Sequence, residues 1–160
     1  MDKVSNSVHK MVTVNATAEE AFRVFTEGFD SWWPRGHKLG DADLQRAVIE
    51  PFAGGRWYEV DVDGTQCEWG RVLTWDPPIR VVLVWQINGQ WRHDPELVTE
   101  VEVRFTEEDG PRTRVDLEHR NLDRFGADQD GVRAQFEAPD GWQGLMNLYA
   151  ARVVQRDAAH

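Results

Sequence analysis

Hydrophobic and polar positions change period twice along this chain, dividing it into three blocks. In Val8–Val14, apolar residues at 8, 12 and 14 keep to alternate positions, which predicts a first strand. Thr17-Ala18-Glu19-Glu20 has the form of a capping box, in which a hydroxyl accepts from one free amide and a glutamate reaches back. Ala21, Phe22, Val24, Phe25 and Phe29 then recur at helical spacing. A short second helix carries Trp32 and Trp33, and Pro34 stops it because the residue before a proline avoids the helical region. Arg35–Gly40 reads as loop.

From about residue 44 to 120 the period becomes two. Leu44–Phe52, Arg56–Val62, Gln66–Trp75, Ile79–Ile87, a strand holding Val101, Val103 and Phe105, and Thr113–Arg120 give six more strands. Gly54-Gly55 and Asp63-Gly64 supply hairpin turns, and Asp76-Pro77-Pro78 breaks the chain sharply. On the second of these strands, Tyr58, Val60 and Val62 fall on one face. Alternation sends Glu59 and Asp61 to the other, solvent-facing side, and Trp57 with them. Trp69 and Trp75 flank Arg71 on the next strand, where a bulge would change the facing. Val81, Leu83, Trp85 and Ile87 share a face, as do Thr113, Val115, Leu117 and His119. Arg114, Asp116, Glu118 and Arg120 form the solvated opposite side, the alternation of an antiparallel sheet buried on one face.

The third block is helical. Asp128–Phe136 fits a short helix, and Asp140-Gly141-Trp142-Gln143 opens a longer one. Its stripe is Trp142, Leu145, Met146, Tyr149 and Val153. The order is one strand, two short helices, six strands and a long helix, an α+β pattern. One domain spans 1–160, with its core between about 8 and 153 and no internal repeat or linker.

Composition narrows the function classes. Eighteen Lys+Arg against 28 Asp+Glu give a net charge of −10, without a basic cluster, which argues against nucleic acid and anionic membranes. No apolar run reaches membrane-spanning length, and the first ten residues lack the apolar stretch of a signal peptide. Cys67 is alone and closes no disulfide within the chain, which fits a reducing compartment, so a cytoplasmic location is expected. His9, His37, His93, His119 and His160 form no paired metal motif, so neither metal nor cofactor is expected. The unusual count is eight Trp against two Tyr.

Several words of the sequence, in order, resemble the START-like helix-grip superfamily, also called SRPBCC. They are Ala18–Phe25 followed by Trp32-Trp33-Pro34, Glu50–Trp57, Gly70–Arg80, Thr99–Phe105, Thr113–His119 and Gly141-Trp142. The branch they resemble most is named after the activator of heat-shock-protein-90 ATPase, its C-terminal domain. The resemblance implies a curved antiparallel sheet of about seven strands wrapped around a long C-terminal helix, with a cavity between them. It also implies a small apolar or aromatic ligand in that cavity. The co-chaperones that give the branch its name carry an extra N-terminal domain, for which these 160 residues leave no room.

Trp33, Tyr58, Trp69, Trp85, His119, Trp142, Met146 and Tyr149 are accordingly the candidate ligand-binding set. Each ring has plain core packing as its competing role. His119 ends an otherwise apolar inward row and is the candidate acid or base. A strand-end histidine bonded to backbone is the alternative. Three functions remain open: binding of a small apolar molecule, a cyclase, dehydratase or hydrolase built on the same cavity, and a co-chaperone-like interaction domain. A monomer or weak homodimer is expected.

Overall fold

The hydroxyl half of the capping box at Thr17 forms as its spacing predicts. Its hydroxyl accepts from the Glu20 amide at 3.2 Å, and Glu107 accepts from the Ala18 amide at 3.0 Å, opening α1 (Ala18–Thr26). Phe29 does not extend that helix. It opens a separate turn, α2 (Phe29–Trp32), and Trp33 lies just past its end in extended backbone. The computed structural model describes residues 6–158, with side chains as far as residue 153. His160 therefore lies outside the described residues.

The strands are β1 (Val8–Val14), β2 (Leu44–Ile49), β3 (Arg56–Asp61), β4 (Gln66–Asp76), β5 (Arg80–Trp85), β6 (Thr99–Glu107) and β7 (Thr113–Arg120). They form one antiparallel sheet of seven strands in the order β1-β7-β6-β5-β4-β3-β2. A 3₁₀ segment (Leu122–Asp128) leads into α3 (Gln129–Glu137) and then α4 (Trp142–Ala158). The sheet is curled, and its concave face closes over α1, α2 and α4. The predicted stripe of α4 holds: Trp142, Leu145, Met146, Tyr149 and Val153 are all buried. Tyr149 donates to the Ala21 carbonyl at 2.7 Å, tying α4 to α1. This is the α+β helix-grip architecture that the resemblance implies.

Bulges contribute to the curl: one lies between Leu44 and Arg46 on β2, and two more lie on β4. Trp57 pairs with Gly70 and Tyr58 with Glu68, so Trp69 is the extra residue of β4 and turns into the core. The second on β4 lies between Val72 and Thr74, and it leaves Leu73 exposed.

The facing of β3 is the reverse of the one expected from alternation. Trp57, Glu59 and Asp61 point inward, at 1%, 0% and 0% exposure. Tyr58 stands on the opposite side, outside the core cluster, with the Arg56 guanidinium 3.9 Å above its ring. The polarity of Glu59 and Asp61 misleads the period-two reading, because Glu59 finds donors inside the fold and Asp61 is buried beside it. The solvated side of β5–β7 is as expected, an ion-pair lattice in which Arg120 reaches Glu100 and Glu102 and Arg80 reaches Glu102.

Candidate functional site: an aromatic cleft and two buried polar clusters

A cleft of about 400 Å³ opens at one end of the grip, within the size range of small-molecule sites. Its walls come from four places: Trp33, Gly36 and His37 after α2, Trp85, Gly89 and Trp91 after β5, Gln135, Phe136 and Ala138 at the end of α3, and Asp140, Gly141, Trp142 and Leu145 at the start of α4. The rings meet edge to face or tilted. Trp85 lies 5.7 Å from Trp142, 5.6 Å from Phe136 and 6.2 Å from Trp91.

Every indole N–H in this wall is already engaged. Trp33 donates to the His37 carbonyl (2.8 Å), Trp85 to the Ile87 carbonyl (2.9 Å) and Trp91 to the Lys38 carbonyl (3.1 Å). Trp142 donates to Nδ1 of His119 at 3.1 Å. The four rings therefore offer carbon surface to the cleft, while His37, Gln135 and Asp140 supply its polar side chains. Trp91 holds its place at a cost: its φ of 62° is left-handed, an unusual state for a bulky residue and worth roughly 1–3 kcal/mol of strain.

Of the candidate residues, Trp33, Trp85 and Trp142 line the cleft. Trp69 stands behind Trp33, 5.3 Å away, on a side crevice shared with Leu39 and Trp91. Met146 and Tyr149 lie deeper, fully buried in the core, and Tyr58 is on the far side of the sheet. The walls that sequence reasoning missed are His37, Trp91, Phe136 and Leu145. Three of them belong to loops or helix ends that only the tertiary fold brings together; Leu145 was visible in the α4 stripe, but not its opening to solvent.

His119 is inward, as its row on β7 predicts, and fully buried. Its ring is one link in a closed chain of donors. Trp142 donates to Nδ1, so Nε2 carries the hydrogen and donates to Oγ1 of Thr99 at 2.9 Å. Thr99 in turn donates to the Trp85 carbonyl at 3.0 Å. Phe136 stacks on the imidazole at 4.5 Å. Burial pushes the pKa of His119 down to about 3, so the ring is neutral at physiological pH. Both nitrogens are bound to protein, tying His119 to Trp142 and, through Thr99, to Trp85, and His119 is not among the residues that line the cleft. Its partners are side chains, where the structural alternative expected backbone.

The second polar cluster lies behind Trp69. Glu59 accepts from the amides of Leu39 (2.6 Å) and Gly40 (3.1 Å) and from the Trp69 indole (2.9 Å). Burial works against the ionised Glu59, but the neighbouring Asp61 carboxyl and these three donors outweigh it and hold its pKa below the usual carboxylate range. Asp61 goes the other way, pushed up to about 6 by burial and by the Glu59 carboxylate beside it.

A curled sheet gripping a long helix, with a ligand-sized aromatic opening at one end, defines a helix-grip domain. Residues 15–148 match the family described as activator of Hsp90 ATPase homolog 1-like protein, and the chain belongs to that family. An anthrahydroquino-γ-pyrone synthase is 37% identical, with 94% of this chain and 99% of that one covered and a TM-score of 0.64. CalC, a self-sacrificing resistance protein from Micromonospora echinospora, is 32% identical over 95% and 96% of the two chains, at a TM-score of 0.72. A protein from Nitrosomonas europaea shares the fold at 12% identity, covering 99% and 100%, with a TM-score of 0.66. No curated protein matches. Among the described residues, no helix is long and apolar enough to cross a membrane.

Proposed function

We propose that this protein binds a flat, polycyclic aromatic molecule, of the kind assembled from polyketide chains, in the cleft between Trp33, Trp85, Trp91 and Trp142. The observation that carries this reading is the engagement of all four indole N–H groups by the protein. A wall built this way gains by stacking and by apolar burial, at roughly 25 cal/mol per Å² removed from water. It is rigid before the ligand arrives, which lowers the ordering cost of binding. His37, Gln135 and Asp140 would orient polar substituents at the rim. The relative at 37% identity supports the ligand class by the fused-ring product in its description.

The same likeness favours a second reading, a synthase of the cyclase type. Its acid and base would come from His37 and Asp140, which face the cleft, and not from His119.

Titration with a panel of hydroxylated anthraquinones, followed by intrinsic tryptophan fluorescence, separates these readings. Saturable quenching with unchanged compounds afterwards supports binding; a new product by chromatography selects the synthase. The control is Gly36→Trp. A Cβ at Gly36 meets no atom within 4 Å and Gly36 lines the cleft, so a tryptophan there should fill it without disturbing the core. Binding should weaken by about tenfold or more, equivalent to about 1.4 kcal/mol, with little change in melting temperature. Equal affinity in this variant would exclude the cleft.

A further inference from the structure

We propose that Glu59, Asp61 and Cys67 form a binding site for a divalent metal ion of borderline softness, such as Zn²⁺. The three residues sit on one rigid hairpin. Glu59 and Cys67 are direct cross-strand partners in the β3–β4 pairing, and Asp61 lies two residues along the same inward face. One donor atom from each comes within 4.8 Å of the others, the spacing of ligands around a single ion.

The observation that points to a ligand is Asp61. Its side chain is wholly buried, yet neither carboxylate oxygen receives a hydrogen bond from any donor. Buried carboxylates of this kind are normally paired or coordinate a metal. Glu59 cannot supply a donor, because it is itself an acceptor for Leu39, Gly40 and Trp69. Lys38, whose charge is felt at Asp61, gives a hydrogen bond to the Gly40 carbonyl at 2.6 Å and none to the carboxylate. Asp41 and Asp63 add negative charge around the thiol, which makes the mouth of the cluster attractive to a cation. Gly40 closes it from above, and a Cβ there would stand 1.8 Å from Oδ2 of Asp61.

Two carboxylates and a thiol choose among metals. The sulfur disfavours Mg²⁺ and Ca²⁺, which take oxygen ligands, and suits Zn²⁺ or its spectroscopic substitute Co²⁺. On binding, the thiol gives up its proton to solvent and becomes a ligand, and a fourth position remains for water. Cys67 is half-buried, which gives the ion a way in. Through Glu59 the ion would clip the hairpin to the 38–40 segment, whose Lys38 carbonyl holds Trp91.

The test is titration of the chelator-treated full chain with Co²⁺ and then Zn²⁺. One equivalent of Co²⁺ should produce a thiolate-to-metal charge-transfer band in the near ultraviolet, and Zn²⁺ should displace it and raise the melting temperature. Cys67→Ser should abolish the band, and Asp61→Asn should weaken binding by at least about tenfold, as loss of a ligand from a first-row metal site does. Cobalt bound without a sulfur band, or a band that survives unchanged in Asp61→Asn, would overturn the site in favour of scattered histidine or lone-thiol binding. Absence of any stoichiometric binding would mean that Asp61 and Glu59 merely share a proton.

Discussion

His119→Ala should lower the unfolding free energy by about 3–5 kcal/mol, a large share of the stability of a domain this size. The substitution empties a ring-sized volume between Phe136, Trp85 and Trp142 and leaves the buried Trp142 N–H without an acceptor. His119→Phe refills the volume but restores neither bond, so it should recover only part of the loss. Denaturant melts of the three proteins measure this directly. The acid limb gives an independent check. The folded pKa of about 3 lies below the unfolded value near 6.5, so stability from the neutral ring is complete above pH 6.5 and declines as pH falls towards 3. Between pH 6.5 and 5 that is about 2 kcal/mol, and His119→Phe should show a shallower slope by up to one proton. A wild-type melt at pH 5 as stable as the variant's, relative to pH 7, would mean that the imidazole is already charged in the fold.

This places His119 differently from the role an inward histidine suggests. Its row on β7 was readable, since Val115 and Leu117 alternate with charged neighbours. What alternation cannot show is which groups arrive from elsewhere: Thr99 from β6 and Trp142 from α4 close both nitrogens. The α4 stripe and the capping motif at Thr17 were equally legible, because each depends on residues three or four apart in one element. The facing of β3 was not. Glu59 and Asp61 look solvent-bound by polarity, whereas the return of Leu39 and Gly40 over the hairpin and the Trp69 indole turned in by its bulge give Glu59 its donors. The cleft shows the same division. Trp85 and Trp142 follow from their elements, whereas His37 and Trp91 depend on loops whose approach is a property of the whole fold.

The second large effect is expected at Gly70. Gly70 pairs with Trp57 on one side and with Trp85 on the other, next to the Trp69 bulge. The two indoles meet across it at 5.7 Å, joining the buried aromatic core to the wall of the cleft. A Cβ at this position would lie 1.6 Å from the Val84 carbonyl oxygen and 2.8 Å from its carbon. Those are backbone atoms of the neighbouring strand and cannot swing aside as a side chain would. Gly70→Ala must therefore push β4 and β5 apart where Trp85 is anchored, at a cost of about 3 kcal/mol or more. The near-ultraviolet circular dichroism of the coupled tryptophans should fall, and aromatic ligands should bind less tightly, because the wall formed by Trp85 moves with its strand. Gly36→Trp separates this from simple blockage, since it fills the cleft while leaving the strand pairing and the melting temperature intact. A Gly70→Ala protein with a wild-type unfolding midpoint would show that the sheet has slack here, and the bulge at Trp69 would then be the place where the strain relaxes.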